Sequence, residues 1–553
     1  MGEVEDLLKQ YDGEKADRAN WDNQWQEVHD LNLPFSANFT AERAPGAVHP
    51  TIYDTTGTQA IQKSAAVLES LLHPRTQWFH TLQASNADLM REREVALFFE
   101  ELNRRIFTLR ARPQAQFYDQ ANESDQSLVT YGNQCMALVP SKDRRGLAYR
   151  HIHVGAVWVA LDEMGRIDTV FYKFKLTAKQ AMQKWGPKRA PKCAREAMQA
   201  NKGWEMEEYL HVVRPRLKTD PNRMGVESMP FESYEISLKD KECIPYEEPL
   251  SGRMLEAGGR RTMGYVYSRF TSNPSEKYGR GPAMLVIGDN RVLQRMERSS
   301  LLYGEMGVTP PLLAMSNDLM SDGRTNLDLR PAAVNPGWLD AQGEARVKPL
   351  LSAFNLQESE ILKEGKRKSI NDAHFLTIFQ ILVNTPEMTA TEALIRAQEK
   401  GALIAPMVGR QQSEWLGPLV ENELSLMAQL ELMPEIPRVL LEAQGEYKIE
   451  YTSSATRMQR EEAVQAIRTT FVDVAGIQQV DPLATEVLDA VEAVRFIAEA
   501  RGVPRHLIRS PRDFDAAIKA QAEARAKQEA LAQVPPMAAA AKDLKAAGVR
   551  IAR

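Results

Sequence analysis

SEKYGRGPAMLVIGDNRVLQRMERSSLLYGEMGVTPPLL, residues 275–313, is the stretch on which the fold reading turns. Its second half reads as one long helix. Asp289 is a good N-cap candidate, because a short carboxylate can accept from the unpaired N–H groups of a first turn, and Thr309-Pro310-Pro311 stops the helix. Val292, Met296, Tyr303 and Met306 form a stripe whose middle holds only the small Ser299 and Ser300. A stripe that narrow predicts packing against the neighbours of a bundle or ring, not burial all round. The preceding Tyr-Gly-Arg-Gly-Pro has no third glycine in register and no Rossmann setting, so it reads as a turn and not a dinucleotide loop. Gly279 and Gly281 are expected to take unusual backbone angles there, with Pro282 stiffening the entry to the helix.

Downstream, residues 310–355 are rich in Pro and Gly and have few periodic positions. That interval exceeds an ordinary connection and predicts a small module with its own contacts. A second long helix is expected over 357–383. Its first half clusters Lys363, Lys366, Arg367 and Lys368 among Glu358, Glu360 and Glu364, a pattern that fits either DNA contact or salt bridges, including bridges between subunits. Its second half, with Phe375, Ile378, Phe379 and Leu382, is built for packing. Thr385-Pro386 breaks it, since proline lacks an N–H and clashes with the preceding turn. More helices are expected near 391–403, 414–432, 457–475, 483–500 and 511–532, before an Ala-rich tail with little area to bury.

Upstream, Trp21, Trp25 and Val28 mark one helix. Ile61, Ala65, Leu68 and Leu72 mark a second, closed by Pro74, and Val95, Phe98, Leu102 and Ile106 a third. From about residue 130 the pattern alternates. Strands are expected at 135–139, 151–161, 169–176, 209–214, 231–238 and 263–270, with Asp162-Glu163-Met164-Gly165 as a turn. Long crossover helices are mostly missing, so an antiparallel sheet or partly closed barrel fits better than a parallel sheet. The fold class is α+β, mainly helical.

The 553 residues carry 69 basic and 74 acidic side chains, a net charge of -5, with no obvious basic stripe of the kind that grips phosphates. Three widely spaced cysteines form neither a disulfide framework nor a zinc pattern. The N-terminus lacks the apolar core of a secretion signal, and no eighteen-residue apolar run predicts a membrane span. No P-loop, H-E-x-x-H, G-x-S-x-G or C-x-x-C occurs. His151 and His153 would share a strand face at the spacing of a metal pair, but no third ligand is evident. Asp318, Asp322 and Asp328 flank Gly323 without the spacing of a calcium loop. The expectation is no enzyme, no metal and no cofactor, against the alternatives of a metal-dependent hydrolase or nuclease using those carboxylates, or a non-viral scaffold.

Residues 275–313, together with YDTTGTQAIQKSAAVLESLLHPRTQWFHTL at 53–82 and the order of elements, resemble the head-to-tail connecting (portal) proteins of short-tailed double-stranded DNA bacteriophages. The resemblance implies a homododecameric ring at one capsid vertex, assembled in the host cytoplasm and away from membranes, through which DNA is packaged and ejected. It implies a wing at 1–288, stem helices at 289–307 and 357–383, a clip at 308–356 and a channel (tunnel) loop at 384–390. The C-terminal wing would cover 391–456 and a crown 457–553. Implied partners are the terminase large subunit, tail adaptor or tail tube proteins, major capsid and scaffolding proteins, and the duplex itself. The loop carries Asn384, Thr385, Pro386, Glu387 and Met388 and departs from a basic loop, which argues against tight phosphate gripping there.

Overall fold

The computed structural model describes residues 2–33, 39–40, 52–217, 219, 228–244, 259–274, 276–310, 312–314, 328, 330, 332–336, 338–339, 342–345, 356–377, 405–443, 445–451, 454–477, 488–500, 503 and 511–533. The chain forms two compact units, 1–77 with 108–432, and 78–107 with 433–553.

In the first unit, the N-terminal helix Gly2–Asn32 and the helix Thr56–Leu72 pack with Phe117–Tyr131 around a core that includes Trp25, Val28, Ile61, Leu68, Leu128 and Val129. Two antiparallel sheets adjoin it. One runs Tyr265–Arg269, Asn133–Pro140, Leu147–Ile152 in spatial order. The other runs Val157–Leu161, Ile167–Thr177, Met206–Pro215, Phe231–Ser237 and Glu242–Cys243, with Gly259–Arg260 paired to Phe231–Ser237. Antiparallel pairing matches the alternation in the sequence. The expected strand 151–161 is instead two strands in different sheets. A short 3-10 turn at Val154–Ala156 separates them, and the Arg18 guanidinium holds it by donating to the Val154 (3.0 Å) and Gly155 (2.9 Å) carbonyls.

The Tyr-Gly-Arg-Gly-Pro turn is placed by close approach. The helix Phe117–Tyr131 ends at Gly132, whose φ of +73° is a left-handed cap that favours glycine. Asn133 then uses its side-chain amide as a strand would use its backbone: Gly279 N–H donates to Asn133 Oδ1 at 2.8 Å, and Asn133 Nδ2 donates to the Gly279 carbonyl at 3.0 Å. A Cβ on Gly279 would lie 2.5 Å from the Gly132 carbonyl oxygen, and one on Gly281 would lie 2.6 Å from that of Val129. Gly281 itself has an ordinary φ of -92°. The expectation of unusual backbone angles at these glycines is therefore corrected: they are needed for room.

Arg110 and Glu423 form a fully buried ion pair, with Arg110 Nε donating to Oε1 at 2.8 Å and the Tyr149 hydroxyl donating to the same oxygen at 2.5 Å. Every charge-bearing atom there has company, the condition under which burial of ions is tolerated.

In the second unit, strand His80–Ala84 pairs antiparallel with Tyr447–Tyr451. The Asn103 amide clamps this edge, accepting from Leu82 N–H at 2.8 Å and donating to the Leu82 carbonyl at 3.1 Å. The helices Ser454–Ile477, Ala490–Ala500 and Pro511–Gln533 agree with the C-terminal helical reading. Of the expected helices, 391–403 lies outside the described residues.

Candidate functional site

The helix Ile287–Val308 follows the glycine turn through a single helical turn, Pro282–Leu285, with proline at its first position, where no N–H is needed. Because the helix starts at Ile287, Asp289 lies in its first turn and is not the N-cap. Its carboxylate serves the partner helix Leu356–Ala373 instead, accepting from Lys366 Nζ at 2.8 Å and Ser369 Oγ at 2.6 Å. Those two bonds hold the Asp289 carboxyl below the ordinary range.

The two helices run antiparallel, since Lys363 meets Ser300 (3.2 Å) and Glu297 (2.8 Å) while Ser369, further along, meets Asp289. Leu293 and Ile370 are both fully buried in the small apolar cluster between them. The root of the pair is pinned to the body by amides. Gln294 Oε1 accepts from Tyr53 N–H (2.7 Å) and Asp54 N–H (3.0 Å), its Nε2 donates to the Asp54 carbonyl (2.7 Å), and Asn290 Nδ2 donates to Asn32 Oδ1 (2.8 Å). Asp54 also takes Arg367 Nε at 3.0 Å. Burial pushes the Asp54 carboxyl up, but the Thr56 and Arg367 hydrogen bonds outweigh it and leave it below its usual value.

Three of the four clustered cations thus have carboxylate partners in their own chain: Lys363 with Glu297 and Glu360, Lys366 with Asp289, and Arg367 with Asp54 and Glu364. Lys368 is exposed. Lys363 is itself buried. Burial lowers the pKa of its ammonium, and the two glutamates more than compensate.

The apolar stripe is placed differently. Asn290, Leu293 and Gln294 are the buried residues of the first helix. Val292 and Tyr303 are exposed, and Met296 and Met306 are half-buried. Leu301, Leu302 and Val308 are also open to solvent, Val308 at 84%, as are Ile361 (72%) and Leu362 (61%) on the partner helix. The second helix ends at Ala373, short of residue 383. A tight turn follows, with His374 N–H donating to the Ile370 carbonyl, and Phe375 takes a left-handed φ of 59°. Phe375 therefore packs half-buried against the main core beside Phe270 instead of continuing a helical face. Ile378, Phe379 and Leu382, and the loop residues Asn384, Thr385, Pro386, Glu387 and Met388, lie outside the described residues.

Beyond the helix pair, Leu312–Ala314 pairs in parallel with Val334–Pro336, and Asn335 both donates to and accepts from the Asp328 backbone. Asp328 is held by the Arg330 side chain, which depresses its pKa to about 2, while Asp318 and Asp322 lie outside the described residues. His151 and His153 do not share a strand face. His151 Nδ1 meets Ser124 Oγ at 3.0 Å, and His153, beyond the strand end, accepts from Gly155 N–H at 3.1 Å. Among the described residues no group of three or more His, Cys, Asp or Glu side chains is arranged to hold a metal. Among them, too, no helix is long and apolar enough to cross a membrane.

The residues missed from the sequence are the amides. Asn290 and Gln294 are one turn apart and flank Leu293, so a polar pair at i,i+4 on the face that carries the one buried leucine was the available signal.

Comparison with known proteins accords with this arrangement. The "Probable portal protein" of Bordetella phage BPP-1 is 26% identical over 524 residues, covering 91% of this chain and 88% of that protein. The "Portal protein" of Salmonella phage epsilon15 is 25% identical over 553 residues, covering 98% of this chain and 94% of that protein. A chain from the neck of an empty gene transfer agent particle aligns over 76% of this chain and 87% of its own at 11% identity, with a TM-score of 0.31, too loose a superposition to carry an argument. The model of the family described as bacteriophage head to tail connecting protein matches residues 4–508. The chain belongs to the bacteriophage head to tail connecting proteins, and its role is that of a head-tail connector.

Proposed function

We propose that this chain is the structural subunit of a portal ring, twelve copies closing around a channel for DNA at one capsid vertex. The observation that carries the reading is the uneven burial of the central helices. Their inner faces are locked to the body by Gln294, Asn290, Asp54 and Arg367, while Val292, Leu301, Leu302, Tyr303, Val308, Ile361 and Leu362 stay exposed in a single chain. Exposed apolar residues in such number on one pair of helices mark an interaction surface. A repeated subunit-to-subunit contact at a fixed rotation closes a ring.

On this reading 289–307 and 357–383 are the stem, 308–356 the clip, 384–390 the channel loop, and 457–553 the crown, with wing on either side. The clip would meet the terminase large subunit during filling and tail adaptor or tail tube proteins afterwards. Capsid and scaffolding proteins would surround the wing, placing the protein in the virion after assembly in the host cytoplasm. The part is passive: energy for DNA movement comes from the motor, and this chain supplies geometry. The intrachain pairing of Lys363, Lys366 and Arg367 favours a stem that stiffens itself over one that grips phosphates. Native mass measurement of the purified chain tests the proposal. A species of twelve times 62.2 kDa supports it, and a stable monomer at all concentrations and with scaffold present overturns it.

A further inference from the structure

Between the strands Ile167–Thr177 and Met206–Pro215 the chain inserts a pair of short helices, Ala178–Trp185 and Lys192–Gln199. Local sequence specifies them: Thr177 and Gln180 form a reciprocal capping box, and Gly186, at φ +79°, ends the first helix. Ala178, Ala181, Trp185, Ala194 and Ala197 bury their inner sides against Tyr209 and Ile244. The module thus has its own small core, and its outer side is not needed for folding.

That outer side is strongly basic. Residues 178–204 hold seven cations, Lys179, Lys184, Lys188, Arg189, Lys192, Arg195 and Lys202, against the single carboxylate Glu196, in a chain whose net charge is -5. Lys184 is engaged with the buried Glu235 carboxylate, which the Trp185 indole also reaches. Lys179, Lys188, Lys192, Arg195 and Lys202 are exposed. Lys192 and Lys202 have only solvent-exposed pairs, with Glu196 at 3.9 Å and Glu205 at 3.0 Å, of the kind that contributes little. Beside them Trp204 is 76% exposed, with the Lys179 ammonium 5.3 Å from its ring centroid, and Met206 is 69% exposed.

We infer that this module is a docking surface for the phosphate backbone of DNA, separate from the channel. Five of the seven cations are lysines, hydrated point charges on long stems that suit a uniform line of phosphates. Paired recognition of carboxylates on an acidic protein favours the planar fork of arginine. An exposed aromatic ring among the cations gives a face for sugar or base contact. Neutralising phosphates releases counterions, so binding is sequence-independent and falls steeply with salt.

The test measures binding of a labelled duplex of about thirty base pairs to the full chain by fluorescence anisotropy, across about 50 to 200 mM salt. A variant joining Lys188→Ala, Lys192→Ala and Arg195→Ala should bind at least about tenfold more weakly at low salt. Its log–log salt slope should be flatter by roughly 2 to 3, at about 0.9 for each phosphate no longer neutralised. Its thermal midpoint and assembly state should be unchanged, and the charge-conserving Lys188→Arg, Lys192→Arg variant should bind as the parent does. Equal affinity and slope in parent and triple-alanine variant overturn the inference, as does no binding by the parent. Preference of the parent for polyglutamate over duplex would also overturn it, assigning the surface to an acidic protein.

Discussion

At the residue scale, the closest tolerances lie where the Tyr278–Pro282 segment crosses Gly132. Gly281→Ala would place a methyl 2.6 Å from the Val129 carbonyl and 2.7 Å from Gly132 N, both backbone atoms that cannot swing aside. Overpacking of that kind costs about 1–3 kcal/mol. Chemical denaturation should show that loss for Gly281→Ala, whereas Gly288→Ala, where nothing lies within 4 Å of the added carbon, should be neutral or stabilising. Histidines set a pH dependence. Burial lowers the His151 pKa to about 4; burial first, then His151, His29 and Arg18, lower that of His153 to about 3. Each is held neutral in the fold and protonates more readily when unfolded, so its contribution is complete above about pH 6.5 and is lost as pH falls towards the folded values. The denaturation midpoint should therefore decline from about pH 6.5 to 4, and His153→Gln should flatten that decline; an unchanged pH profile in the variant would contradict the assignment.

At the element scale, much was legible in advance and the failures have physical causes. Helices with a clean apolar stripe, such as Thr56–Leu72, and strands with clean alternation, such as Phe231–Ser237, were readable because local pattern and tertiary burial agree there. The helix Phe117–Tyr131 was not marked, because it buries Ser124, Asp125, Ser127 and Thr130 along with its apolar residues and so blurs the stripe. The break at Phe375 was hidden for another reason: a distant contact with Phe270 and the main core, invisible to a periodicity argument, draws the ring off the helical path. The basic module was overlooked because its cations are diluted in a chain with an acidic excess. On the first central helix, the stripe Val292, Met296, Tyr303, Met306 is narrow, and its neighbours Leu293 and Gln294 take the burial within the chain. Met296→Asp puts a charge on that stripe at a half-buried position. If the stripe meets another subunit, this variant should fold with its two antiparallel sheets intact and lose most of its ring yield on size exclusion, since an unpaired charge forced into a seam costs several kcal/mol, to order of magnitude. Normal ring yield would mean the stripe faces solvent in the assembly.

At the scale of the whole molecule, the family match over residues 4–508 and the uneven burial of the central helices point the same way. A single chain satisfies its polar groups at the root of the pair, through Asp54, Asn290, Gln294 and Arg367, and leaves its apolar side chains unsatisfied further out. That division is what a stiff rod meant to be flanked by copies of itself requires: orientation fixed from within, adhesion left for neighbours. Family membership was readable from the motif at residues 275–313, because that segment combines the glycine crossing with the long helix. Subunit number is not written in any one residue, because it arises from a small rotation between neighbours.

Averaged electron images of the purified, undenatured particle, viewed down its axis and refined until the central helices are visible, test the account most directly. The account predicts a closed ring of twelve subunits around an opening wide enough for a duplex, with Leu301, Leu302, Ile361 and Leu362 covered by adjacent copies. Solitary chains, or an assembly with no axial opening in which those four side chains remain in water, would contradict it.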